Sequence, residues 1–435
     1  MKSKTVKKDK VNIITLGCSK NMVDSEVLSG QLQANDFDVV HENKKLDHNI
    51  VVVNTCGFID KAKEESINTI LDQVDLKKKG KLDKVYVTGC LSERYRQNLE
   101  DEIPEVDAFF GTMELPALLA VLNADYKKEL LGERLLATPA HYAYMKISEG
   151  CNRTCSFCAI PLMRGTHVSK PIETLVDEAR RLVGMGVKEI MLIAQELTYY
   201  GLDIYKQRML PELMSQLAQV PGLEWIRLHY AYPSKFPMEI IDVMKQYPNI
   251  CNYLDMPLQH ASDKMLSAMK RQITKQEMKD LVADIRAKIP GICLRTTLIT
   301  GFPGETREDV EELKEFLAEM KFERVGIFTY SHEEDTSAYA LEDTLTSEEK
   351  EARAQEIIEF QQEISFEKNQ LHVGKTYKVI VDKKEAGRYI GRTEFDSVEV
   401  DNEVIIHSSK PLKPGQFVNV LIKKAYDYDL EGEVV

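Results

Sequence analysis

Three short apolar runs near the amino end, VNIITL, NIVVVNT and KVYVTG, each run into a cysteine: Cys18, Cys56 and Cys90. Each run is rich in β-branched residues, too short for a helix, and followed by polar, helix-prone sequence. That alternation predicts buried parallel strands joined by helices, an open parallel α/β sheet. In such a sheet the carboxyl ends of neighbouring strands share one edge and form the ligand crevice. One buried cysteine filling space is ordinary. Three at equivalent strand ends predict a shared metal centre.

A second alternation begins near residue 141. HYAYMKI, VKEIMLIA, LEWIRLHY, CNYLDMPL, ICLRTTLI and RVGIFTY read as strands separated by amphipathic stretches such as KPIETLVDEARRLVGMG. Six such units predict a central partial (β/α)6 barrel with functional loops after the carboxyl ends of its strands. A charged helical run, LTSEEKEARAQEIIEFQQEISFEKNQ, then leads into TYKVIVD, GRYIGRT, VEVDNEVIIHS and QFVNVLIKKAYDYDLEGEVV, which predict a small antiparallel β-barrel. At 435 residues the chain exceeds the usual domain size of about 100 to 200. The expected boundaries are 11–123, 137–368 and 370–435.

The first strand of the second alternation leads into SEGCNRTCSFCAIPLMRG, with Cys151, Cys155 and Cys158 in a CxxxCxxC spacing. A loop of this kind can direct three thiolates at a four-iron cluster and leave one iron without a protein ligand. Structural zinc normally takes four ligands, and no fourth lies nearby in the sequence. No apolar run approaches the ~20 residues of a membrane span, and the start lacks a secretory pattern. A cytoplasmic enzyme is expected, in a reducing compartment where eight cysteines suit metal chemistry better than disulfides. The net charge of −13 argues against broad nucleic-acid binding and suits a basic partner. The five lysines of the first ten residues read as a solvated tail.

The triplet, placed after the first barrel strand, resembles the signature of the radical S-adenosylmethionine superfamily. The resemblance implies that Cys151, Cys155 and Cys158 hold a 4Fe-4S cluster whose open iron chelates S-adenosylmethionine (SAM) and whose electron releases a 5′-deoxyadenosyl radical. The segments LGCSKNMVDSE, NTCGFI and TGCLSERY, taken in order with the triplet, are similar to those of the methylthiotransferases. That family combines an amino-terminal cluster domain, a radical SAM domain and a carboxyl-terminal TRAM domain of OB-like kind. It implies a second 4Fe-4S cluster on Cys18, Cys56 and Cys90 that delivers sulfur or a methylthio group, with one SAM giving the methyl and another the radical. An electron donor such as a flavodoxin or ferredoxin is also implied.

Two classes share this plan, one acting on a transfer-RNA adenosine and one on the β-carbon of an aspartate in small-subunit ribosomal protein S12. GCSKN, AIPLMRG, RLHYAYP, LDMPLQH and RTTLITGFPGET resemble the ribosomal-protein class. Charge adds an independent indication. From Gln370 to Val435 there are ten lysines and arginines against eleven aspartates and glutamates, a net charge of −1, where an RNA-gripping domain would be basic. EFDSVEVDNE, Glu394 to Glu403, with Glu399 and Asp401, is therefore the expected docking surface for a basic protein.

Further candidates complete the reading. By analogy with the superfamily, Gln195, Glu196, Arg295 and Thr297 are expected to contact SAM, and Arg164 to approach a cofactor carboxylate or the target aspartate. GFPGET lacks the lysine of a phosphate loop, and Thr306 followed by Asp309 predicts a helix cap instead. Cys251, Cys293 and His260 read as structural.

Overall fold

The computed structural model describes residues 9–127 and 134–435. Apart from Lys10, the lysine-rich start lies outside the described residues. No described helix is long and apolar enough to cross a membrane. The chain forms two compact units: one takes in the chain to Thr138 with Glu149–Asn152 and Ala159–Val168, and the other Pro139–Ser148, Arg153–Cys158 and Ser169–Val435.

In the first unit, strands β1 (Lys10–Thr15), β2 (Asp38–His41), β3 (Ile50–Thr55), β4 (Lys84–Gly89) and β5 (Ala108–Phe109) form one sheet in the order β2-β1-β3-β4-β5. All pairings are parallel. The central strand β3 is buried along its whole length, as a strand covered on both faces must be. Its alternation divides the core. Ile50 and Val52 face Leu28 and Leu32 of helix α1 (Ser19–Gln33), whereas Val51 and Val53 face Ile70 and Val74 of helix α2 (Asp60–Lys78). The two edge strands, β2 and β5, were not anticipated, because four and two residues are too few to show a period.

In the second unit, β6 (Tyr142–Lys146), β7 (Glu189–Ile193), β8 (Trp225–Leu228), β9 (Ile250–Asp255), β10 (Cys293–Thr300) and β11 (Arg324–Thr329) form a parallel sheet in chain order, with β6 and β11 as its edges. The six expected units are present and the sheet is not closed, which is the partial barrel. Helix Ser347–Gln370 follows, started by a capping box of Thr346 and Glu349. The expected cap at Thr306 and Asp309 is likewise a full capping box.

The carboxyl-terminal strands β12 (Thr376–Glu385), β13 (Arg388–Arg392), β14 (Val404–His407), β15 (Phe417–Ala425) and β16 (Leu430–Val434) close into a barrel in the order β12-β13-β14-β16-β15. It is antiparallel apart from one pair, since β14 and β16 run parallel. Val379, Val381, Val404, Ile406, Val420 and Ile422 fill it.

This small barrel covers the amino ends of the large sheet. Ile380 packs with Tyr253 and with Trp225, Cys251 and Cys293, the last three at or near the start of their strands, so both lone cysteines are core residues as expected. Glu189, the first residue of β7, is fully buried and accepts from Arg227 Nε and from Arg392 Nη2, both at 2.8 Å. Burial opposes its ionisation, yet the two guanidinium groups hold its carboxyl below the ordinary value.

The expected docking surface at Glu394–Glu403 is corrected here. Asp396 accepts from Arg324 at 2.6 Å and 3.0 Å. Asp401, whose side chain is 1% exposed, pairs with Arg295 at 3.2 Å and accepts from the Tyr253 hydroxyl at 2.7 Å. Only Glu399 and Val400 of this segment are exposed. Asp396 and Asp401 satisfy arginines of the large sheet, which a net-charge count cannot distinguish from an acidic surface.

Candidate metal centres

In the first unit, Cys18, Cys56 and Cys90 all occupy the turns that follow β1, β3 and β4. Cys18 caps α1, Cys56 directly follows β3, and Cys90 opens helix α3 (Cys90–Glu102). Because β1, β3 and β4 are neighbours in the sheet, their turns lie side by side. Glycines make the close approach possible. A Cβ on Gly17, whose φ is +91°, would stand 2.6 Å from Cys56 Cβ and 2.8 Å from its sulfur, and one on Gly57 would stand 2.8 Å from the Leu91 backbone.

All three thiols are free, with Cys56 and Cys90 buried and Cys18 exposed. Burial pushes the Cys56 thiol up to about 12, and neighbouring Cys18 and Cys90 add to that shift while Arg164 opposes it. A metal bound at Cys56 must therefore displace the proton that burial retains there. No group of three or more His, Cys, Asp or Glu among the described residues is arranged to hold a single metal ion. A four-iron cluster makes a different demand, with one thiolate on each of three irons. The donor set, the glycine-lined approach and a nearby cation fit such a cluster.

That cation is Arg164, at the end of helix Ile160–Arg164, which belongs to the same unit. Its Nε donates to Cys90 Sγ at 3.3 Å, and Nη1 reaches Asp24 at 2.7 Å and Glu149 at 3.2 Å. Nη2 donates to the Asn21 side chain. Sequence reasoning placed Arg164 near a cofactor or substrate carboxylate; the structure places it at the amino-terminal cysteines. Neither cysteine spacing nor periodicity signals a contact between residues 90 and 164.

The triplet lies in the loop where the chain passes between units. Cys151 is grouped with the first unit, where its N–H donates to Gly165 O at 3.1 Å. Cys155 and Cys158 belong to the second, and the Cys158 N–H donates to Cys155 O at 3.2 Å. Arg271 Nη1 donates to Cys155 Sγ at 3.2 Å, and the Tyr232 hydroxyl stands 3.9 Å from that sulfur. The Arg153 guanidinium lies 3.7 Å from the Tyr232 ring centroid and 3.9 Å from that of Tyr199, and pairs with Glu196 at 3.0 Å.

The four residues expected at SAM fall into two groups. Gln195 and Glu196 follow β7 directly, at the carboxyl end of the sheet, and Glu196 is joined to the Cys155 surroundings through Arg153 and Tyr232. Glu196 also accepts from the Thr198 N–H and hydroxyl, both at 2.6 Å. Arg295 and Thr297 lie on β10, 3.3 Å apart, and Arg295 is held by Asp255 and Asp401. Arg153, Tyr199, Tyr232 and Arg271 were not singled out from the sequence. Of these, Arg153 lies within SEGCNRTCSFCAIPLMRG and Tyr232 within RLHYAYP, but nothing in either segment marks them as partners of Cys155. His260, as expected, is fully buried, with its Nδ1 accepting from two backbone N–H groups.

Comparison with known proteins bears on the whole chain. The radical SAM superfamily model matches residues 145–317, the model of the uncharacterized protein family UPF0004 matches residues 10–111, and the TRAM domain model matches residues 373–435. A Flavobacterium johnsoniae protein named ribosomal protein uS12 methylthiotransferase RimO is 60% identical over 435 residues, covering all of both chains. Proteins of the same name from Cytophaga hutchinsonii, with all of both chains covered, and Bacteroides thetaiotaomicron, with 99% of each covered, are 56% and 52% identical. Among solved structures, the radical SAM methyltransferase TsrM from Kitasatospora setae superposes with a TM-score of 0.56 at 15% identity, covering 74% of this chain and 75% of that one. At that identity the likeness concerns the fold.

Proposed function

The chain belongs to the ribosomal protein uS12 methylthiotransferase family, and we propose from this membership and from its two cysteine sets that it replaces a hydrogen on the β-carbon of a uS12 aspartate with a methylthio group. The observation that carries the proposal is the pair of three-cysteine sets, each with an arginine N–H on one sulfur. An unactivated C–H bond needs a strong radical to open it and a sulfur donor beside the carbon that results, hence two centres. When bound, a 4Fe-4S cluster on Cys151, Cys155 and Cys158 supplies the electron that releases a 5′-deoxyadenosyl radical from SAM, and a second on Cys18, Cys56 and Cys90 supplies the sulfur.

The chain's own residues bind and orient. Arg271 fixes the Cys155 side chain, and the stacked Tyr199–Arg153–Tyr232 group forms a rigid cationic wall beside it. Gln195 and Glu196 stand on this carboxyl-end side of the sheet and are the proposed SAM contacts; Glu196 can act there as an acceptor oriented by Arg153 and Thr198. Thr297 is retained as a contact from β10. Arg295 is withdrawn from that role, since Asp255 and Asp401 already compensate its charge. Residues 11–123, 137–368 and 370–435 are proposed as the functional segments. A low-potential donor such as a flavodoxin or ferredoxin and a cytoplasmic setting complete the reading.

The test is the intact mass of uS12 from cells with and without the gene, followed by peptide fragmentation. The expected result is a methylthio-sized increment on one aspartate only when the gene is present. An unchanged uS12, with a methylthio group lost instead from transfer-RNA nucleosides, would reassign the substrate to the adenosine alternative.

A further inference from the structure

Arg164 stands six residues after Cys158 in the chain, yet its guanidinium is spent in the amino-terminal cysteine site. It is 5% exposed, and four partners fix it: Cys90 Sγ, Asp24, Glu149 and the Asn21 side chain. The helix that carries it is seated by apolar contact, with Ala159 and Met163 packed on Cys90. The next residue, Gly165, accepts the Cys151 N–H at 3.1 Å. A single two-residue step of backbone therefore holds one cysteine of each set.

We propose that Arg164 is a positioning residue for the amino-terminal cluster: its Nε–H hydrogen-bonds the Cys90 sulfur and its charge sets the reduction potential of the centre bound there. The inference rests on the assignment of that cluster and adds what controls it. The physical basis is general. N–H donors to cluster sulfurs and nearby positive charge stabilise the reduced, more negative state, and so raise the potential. Asp24 opposes this by neutralising part of the Arg164 charge at 2.7 Å.

Two substitutions should then act with opposite sign. In a full-length chain whose triplet is replaced by alanine, so that only the amino-terminal cluster is loaded, Arg164→Gln should shift the midpoint potential to a more negative value. Asp24→Asn should shift it to a more positive one. Arg164→Lys, which keeps the charge and loses the planar fork, should fall between the first variant and the parent. The readout is an anaerobic redox titration followed by electron paramagnetic resonance, with iron counted per chain. Opposite shifts at full iron loading support the proposal. Unchanged potentials, or shifts of the same sign, overturn it. If Arg164→Gln fails to take up iron, Asp24→Asn, which leaves the arginine in place, still decides by its sign. If no variant of the triplet-free chain binds iron, the assignment of the amino-terminal cluster itself has failed, which is a separate result.

Discussion

The two cysteine sets are assembled by opposite routes. Cys151, Cys155 and Cys158 sit on one short loop, and their spacing is written into consecutive sequence. Cys18, Cys56 and Cys90 are spread over more than seventy positions and meet only because β1, β3 and β4 lie next to one another in a parallel sheet. The loop set depends on local chain geometry, whereas the dispersed set depends on the register and packing of a whole sheet. A lesion in the loop should therefore be chemical and local. A lesion near the dispersed set should couple to the fold that brings the turns together.

The largest effects should separate the two sets by function. Cys155→Ala is expected to abolish 5′-deoxyadenosine formation to assay background while the amino-terminal set still binds iron. Cys56→Ala is expected to do the reverse, keeping 5′-deoxyadenosine formation and losing methylthiolated uS12. Chromatography of the nucleoside and mass analysis of the protein read the two products. Methylthiolated uS12 should be absent from both variants, since it needs both centres; loss of 5′-deoxyadenosine formation in Cys56→Ala, or its survival in Cys155→Ala, would break the division of labour.

Gly17→Ala probes the dependence of the dispersed set on packing. The added methyl would meet Cys56 at 2.6 Å in a backbone conformation, φ +91°, that alanine resists. A cost of about 1–3 kcal/mol is expected by analogy with overpacked cores, together with reduced iron at that set. Denaturant titration and iron analysis check both, and full iron loading at parental stability would remove the packing argument.

The amino end of the large sheet provides the contrast without metal chemistry. Asp396→Ala leaves the buried Arg324 without its carboxylate partner and should cost about 3–5 kcal/mol, with iron content unchanged in the folded fraction. The smallest effect belongs to Glu399→Lys. Glu399 is exposed, so stability should move by no more than about 0.5 kcal/mol. With Asp396 and Asp401 of that segment turned inward onto arginines, affinity for uS12 should not change either, and weakened binding would restore the segment as a docking surface.

What could be read in advance follows the same division. The triplet, the strand-then-cysteine pattern and all six strands of the large sheet were legible, because cysteine spacing and short apolar runs alternating with amphipathic stretches are local properties. The lone Cys251 and Cys293 were legible as core because each lies in an apolar strand with no ligand-spaced partner. Arg164 was misplaced and Arg271 was missed, because a contact with a cysteine more than seventy positions away leaves no trace in local composition. The acidic run at Glu394–Glu403 misled for a related reason. Its partners, Arg295 and Arg324, lie about seventy to a hundred residues earlier, so a surface charge and a buried counter-charge look alike in sequence.

The central claim is that six named cysteines hold two independent clusters. It is tested most directly by iron analysis with Mössbauer spectroscopy on the anaerobically reconstituted full chain, beside a variant carrying Cys151→Ala, Cys155→Ala and Cys158→Ala. The account predicts that the variant keeps half the iron of the parent, all of it in a four-iron cluster. A variant that retains no cluster, or a parent that holds no more iron than the variant, would contradict it.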